Sequence, residues 1–190
     1  MGESCWFCRS PQEWVALAER LKLTPCPHCK VVGTLIRHGY LRGHDEGSPQ
    51  RKTVRARRVF CSNRQARPGC GRTVSVWFAD KVRRLGLTTA CLWRFLQLAL
   101  AGSILAAIRA IDCHLSDRTL QRIWKRFALG QSQIRTALSA CCPPPPWPAH
   151  WSAAIPHRPA AHVLAHLQAA FPDADCPITA FQHTLRAFFI

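Results

Sequence analysis

The chain has 190 residues, enough for one ordinary domain or two small ones. Lys and Arg outnumber Asp and Glu 26 to 10, a net charge of +16 that suits a polyanionic partner. The eleven cysteines are odd in number, the chain is not short, and the start Met1-Gly2-Glu3-Ser4-Cys5 does not read as a secretory signal, which argues against a secreted disulfide scaffold; the uncharged run at residues 95–108 is too short to span a membrane, so no membrane segment is expected.

Residues 1–22 form an N-terminal unit. Ser10 caps a short amphipathic helix over residues 12–23, Pro11 takes its first position, and Trp14, Leu17, Ala18 and Leu21 recur at helical spacing. Residues 23–80 change character: turn residues are frequent, and β-like runs cover 31–36, 53–60 and 73–78, with a surface loop at 43–49. This stretch has few apolar residues, so a metal or another staple is expected.

From residue 87 the pattern is helical. Leu92, Phe95, Leu96 and Ala99 form one stripe after Thr88-Thr89, and Gly102-Ser103 interrupts it. Ile104, Ala107, Ile108 and Ile111 form a second stripe, and Asp112-Cys113-His114-Leu115 a turn. Ser116 caps a third helix with Asp117 in its first turn, and Leu120, Ile123, Trp124 and Phe127 line its inner face. A separate helix is expected over 132–139, closing a module at 81–140. Residues 141–158 are a proline-rich linker acting as a stiff spacer. Residues 159–190 hold two short helices, 160–171 and 178–189. The end, Ala187-Phe188-Phe189-Ile190, needs a surface to pack on or a continuation of the reading frame.

Charge is unevenly spread. Residues 23–84 hold fourteen basic and three acidic side chains, and 85–140 hold seven and two. The two flanks, 1–22 and 141–190, are each neutral, and protein contacts with a catalytic partner or a second copy are their expected use.

Cys26-Pro27-His28-Cys29 is answered by Cys61 and by Cys70-Gly71. Two such pairs can hold one structural Zn²⁺ with Cys26, Cys29, Cys61 and Cys70 as ligands. The eight residues between Cys61 and Cys70 depart from the usual two, but residues 62–67 can loop out without moving either sulfur. His28, His38 and His44 are surface side chains on this reading. Cys5-Trp6-Phe7-Cys8 lacks a second pair, and ordinary packing is expected for His162 and His166, which share a helix face at i, i+4.

Residues 26–78 resemble the N-terminal zinc ribbon of bacterial insertion-sequence transposases and their accessory reading frames. The resemblance rests on Cys26-Pro27-His28-Cys29, Gly33, His38-Gly39-Tyr40, Arg57-Arg58-Val59-Phe60-Cys61-Ser62-Asn63-Arg64 and Gly69-Cys70-Gly71-Arg72-Thr73. Such ribbons are commonly followed by helix-turn-helix modules, which residues 87–140 resemble more loosely. It implies an α+β protein, a small Cys₄ zinc ribbon followed by an all-α helix-turn-helix bundle and short C-terminal helices, that binds double-stranded mobile-element DNA.

The residues themselves suggest where DNA would be met. With the third helix's apolar stripe inward, Arg118, Thr119, Gln121, Arg122 and Lys125 face out, and Arg and Gln can read guanine and adenine edges. Arg51, Lys52, Arg55, Arg57 and Arg58 form a second basic surface for phosphate contact, with Arg55 and Arg57 expected on one strand face and Arg58 on the other. Lys81, Arg83 and Arg84 lie between the two. The ten acidic residues form no three-carboxylate set, and the one tyrosine, Tyr40, lies in the cysteine-bearing segment, so no catalysis is expected. The rivals are a stand-alone zinc-dependent transcriptional regulator and an RNA-binding or structural ribbon module of the translation or transcription machinery.

Overall fold

The computed structural model describes residues 6–147 and 158–190. Cys5, half of the first Cys-x-x-Cys, and residues 148–157 of the proline-rich stretch lie outside them. Among the described residues the chain is mixed α+β, one four-stranded sheet and six helices.

The first helix, α1 (Pro11–Glu19), begins as its cap residues dictate: Ser10 Oγ accepts the Glu13 amide and Pro11 sits in the first turn. It is shorter than the 12–23 expectation, because residues 21–23 tighten into a single 3-10 turn. Strands β1 (Trp6–Cys8), β2 (Leu35–His44), β3 (Lys52–Cys61) and β4 (Thr73–Phe78) form the sheet in the order β1-β4-β3-β2, with only β1 parallel to its neighbour. β1 was not legible in a three-residue segment. β2 starts at Leu35 rather than 31 and runs through Gly43 and His44, two residues read as loop, because β3 offers them hydrogen-bonding partners as far as His44↔Lys52.

The register shifts twice along this hairpin. His38 is the extra residue on β2, between Arg37↔Val59 and Gly39↔Arg58; Arg55 is the extra residue on β3, between Leu41↔Ala56 and Arg42↔Val54. A bulge breaks strict alternation and redirects a side chain. Arg55 and Arg57 therefore go to different neighbours, which corrects the shared face expected for them. Arg55 is 6% exposed, donating to the carbonyls of His44, Val82 and Leu87. Gly43 makes room: a Cβ there would sit 2.3 Å from Arg55 Cδ.

One sheet face, carrying Leu35, Val59, Cys61, Val76 and Phe78, packs on Trp14, Leu21 and Cys26 in a small core. The larger core is helical and joins α2 (Thr89–Ala101), α3 (Ile104–Ala110), α4 (Asp117–Leu138), α5 (Arg158–Ala170) and α6 (Pro177–Leu185). Thr88, Ser103 and Ser116 cap the first three, each accepting an amide three residues on. The separate helix expected over 132–139 is absent: α4 runs unbroken for 22 residues, because Ile134 and Leu138 extend the Leu120–Phe127 stripe across Gly130.

Residues 160–189 contribute Val163, Leu167, Ile178, Phe181 and Phe189 to the same core as α2–α4. The helix expected to reach residue 189 ends at Leu185, where Arg186 turns left-handed, and the tail divides. Phe189 stacks on Phe127 and meets Phe181 edge-on, while Phe188 meets Phe7 and Trp77 on the sheet. Buried Gln182 binds three ways: its amide donates to the Ala79 and Lys81 carbonyls, and its Oε1 accepts the Phe189 amide. The apolar end thus packs on its own chain. No helix among the described residues is long and apolar enough to cross a membrane.

Candidate metal centre and its basic surroundings

Four sulfurs converge where the root of the β2–β3 hairpin meets the loop after α1. Cys26, Cys29, Cys61 and Cys70 place their Sγ atoms within 4.8 Å of one another, and they alone form such a cluster among the described residues. Cys26 Sγ lies 3.8 Å from Cys70 Sγ, and Cys29 Sγ 3.6 Å from Cys61 Sγ. Both exceed the about 2.05 Å of a disulfide.

Local backbone explains the convergence. Residues 26–29 form a tight turn closed by the Lys30 amide on the Cys26 carbonyl, with Lys30 left-handed at φ 64°. The amides of His28 and Cys29 point at the Cys26 sulfur. On the other side the Cys70 amide donates to Cys61 Sγ at 3.2 Å, and Gly71 donates to the Cys61 carbonyl. Gly69 cannot be replaced without movement, since a Cβ would fall 2.1 Å from the Ser62 carbonyl oxygen. The eight-residue spacing closes because residues 63–68 loop outward, all exposed.

The electrostatics are those of a site that wants a cation. Burial, with the neighbouring thiols, pushes Cys26 up to about 12. At Cys61 burial also raises the thiol, but the Thr34 hydroxyl, the Cys70 amide and adjacent thiols outweigh it and bring it down to about 7. Thr34 Oγ1 lies 3.1 Å from Cys61 Sγ, a supporting group that spacing did not reveal. Four thiols this close resist ionising together unless a divalent cation holds them.

The other ligand candidates are placed elsewhere. His28 is exposed, His38 lies against Phe60, and His44 Nδ1 meets the Pro49 carbonyl. Cys8 is buried, and desolvation followed by the nearby Glu13 pushes its thiol up to about 11. His162 and His166 are buried, their Nε2 atoms on the Pro145 and Cys142 carbonyls, and Trp147 stacks on His162 at 4.0 Å. The described part of the proline-rich stretch is thus bound to α5.

The basic residues separate into exposed and engaged. On α4, Arg118, Gln121, Arg122 and Lys125 are exposed, while half-buried Thr119 shares a hydrogen bond with Ser116. Arg51 and Lys52 are exposed at the hairpin tip, and Arg58 is half-buried on β3. Arg57 is half-buried beside the rings of Trp14 and Tyr40, each 6.0 Å away. Arg55 is spent on backbone carbonyls, so the surface role that sequence alternation assigned to it is corrected. Lys81 pairs with Asp80, Arg83 lies over Phe188, and Arg84 is exposed. Exposed Arg42, Arg109 and Arg126 were not singled out from sequence; Arg42 adjoins Tyr40, over whose ring its guanidinium lies.

No family model, no curated protein and no solved structure matches this chain.

Proposed function

We propose that the chain binds double-stranded DNA through α4 and the basic hairpin, with one structural Zn²⁺ on Cys26, Cys29, Cys61 and Cys70. Zinc suits the donor set: four thiolates about 2.3 Å from a central Zn²⁺ stand about 3.8 Å apart, close to the 3.6 and 3.8 Å separations here. With no open ligand position such a metal staples the fold and performs no chemistry. In this reading the cysteine-bearing sheet is a zinc ribbon, and α3, its turn and α4 are a helix-turn-helix.

The carrying observation is the division of α4. Leu120, Ile123, Trp124 and Phe127 are buried, while Arg118, Gln121, Arg122 and Lys125 stand in solvent on a helix whose start is fixed by the Ser116 cap. A basic helix of this kind, following a short helix and turn, suits the major groove. The carboxylates have structural uses that support a non-catalytic reading: Glu46 holds the Thr88 amide, Asp45 the Gly47 amide, and Glu13 pairs with His183. The sequence resemblance to insertion-sequence proteins directs the choice of target, the DNA at the ends of a mobile element, with a separate catalytic subunit as partner.

The test is fluorescence-anisotropy titration of zinc-loaded protein with duplex taken from the DNA flanking its own gene. Affinity should fall linearly in log–log against salt, by about 0.9 per phosphate contacted. Arg122→Ala should lose about 1–3 kcal/mol of preference over a scrambled duplex. Equal binding of scrambled duplex before and after that substitution removes the sequence-reading role, and binding that ignores salt removes DNA as partner.

A further inference from the structure

The loop joining β2 and β3 does not stand free of the helices. The Glu46 carbonyl accepts both the His114 amide, at 2.9 Å, and the His114 ring nitrogen Nδ1, at 2.8 Å. The Glu46 carboxylate accepts the Thr88 amide at 2.8 Å. Close approach is required here, since a Cβ on Gly86 would lie 3.0 Å from His114 Cε1 and 3.4 Å from His44 Cβ. Arg55, on the same arm, reaches from the His44 carbonyl to those of Val82 and Leu87. The Glu46–His114 contact fixes the hairpin tip against the turn that precedes α4, while Arg55 and the Glu46 carboxylate fix it against the segment that precedes α2. His114 stands two residues before Ser116, the α4 cap.

This docking joins two segments that carry exposed cations. The tip brings Arg42, Arg51 and Lys52; the first turns of α4 bring Arg118, Arg122 and Lys125. The exposed acids nearby are Asp112 and Asp117, whereas Asp45 accepts the Gly47 amide and Glu46 is used in the latch. Six cations against these four carboxylates leave the balance positive. The groove end of a recognition helix is its N-terminus, and a two-stranded ribbon can follow the same duplex.

We propose that the β2–β3 hairpin tip and the N-terminal half of α4 form one composite duplex-binding surface, held in register by the Glu46–His114 contact. The inference rests on the DNA reading above and deepens it. α4 occupies the major groove, and the tip grips the adjoining backbone, so the bound site is longer than one helix alone can cover. His114 is a positioning residue: it touches no DNA and sets where the tip falls.

Hydroxyl-radical footprinting of the full chain on its flanking duplex, with salt titrations, tests this. Arg51→Gln/Lys52→Gln should erase protection on one flank of the α4 footprint and lower the salt slope by about 1.8, two contacts of about 0.9 each. Preference over scrambled duplex should stay unchanged, because backbone contacts position without specifying. His114→Ala keeps every cation, so it should blur the flank protection while leaving the α4 footprint sharp. An unaltered flank and slope in the double variant overturns the composite surface with the DNA reading intact. A sharp flank in His114→Ala overturns the latch, and no footprint from the unmodified protein overturns both readings.

Discussion

Arg55 shows how one side chain's fate turns on backbone register. Its guanidinium is removed from water and pulled below the ordinary arginine pKa by burial, with Asp80, Glu46 and Asp45 opposing that shift. It stays charged, and three carbonyls accept hydrogen bonds from its N–H groups. Arg55→Ala would leave those acceptors short of donors and remove a bracket between sheet and helices, a loss of about 3 kcal/mol in urea unfolding. Its salt slope on DNA should match the parent's, since Arg55 is not a phosphate contact. Sequence alternation could not place this residue, because a single inserted position on β3 redirects it. The four sulfurs were legible by contrast, since Cys26 to Cys29 is a local turn and a proline–glycine pair marks the turn that brings Cys70 back to Cys61.

At the scale of the element, α4 carries the main correction. A separate helix is the expectation over residues 132–139, yet α4 continues through Gly130 because Ile134 and Leu138 bury on the same side as Phe127. Tertiary packing outweighs the roughly 1 kcal/mol that an interior glycine costs relative to alanine. The nearest foreign atom to a Cβ at Gly130 would be Ile134 Cδ1 at 4.0 Å, and its backbone is not left-handed. Gly130→Ala should therefore stabilise the protein by about 0.5–1 kcal/mol, read as a raised urea midpoint with unchanged slope. A lower midpoint would mean that the glycine serves a bend that the geometry does not reveal. The helix starts needed no such correction, because Thr88, Ser103 and Ser116 each act within three residues.

Across the whole molecule, two cores of unequal size share one seam. The sheet core is small and gathered around the sulfurs; the helical core is larger and includes the C-terminal tail. Chelation should therefore melt the sheet unit first, giving a two-step thermal transition by circular dichroism where the zinc-loaded protein gives one. Acid should act like chelator, because the thiolates must take protons to release the metal, so retention falls as pH falls. A single unchanged transition after chelation would count against a structural zinc. Gln182, Phe188 and Arg55 bridge the two units, which gives residues 177–190 a role within the fold that the neutral charge of the 141–190 flank did not suggest.

What the sequence determined by itself is short-range. Helix caps, apolar stripes and the knuckle at Cys26–Cys29 depend on groups a few residues apart, whose geometry covalent structure nearly dictates. The tertiary structure decided the long-range placements: the bulge that turned Arg55 inward, the docking of Glu46 on His114, and the tail divided between Phe127 and Trp77. Those contacts join residues tens of positions apart. They form only where strand register, bulges and helix packing bring both partners together, and no local pattern records that meeting.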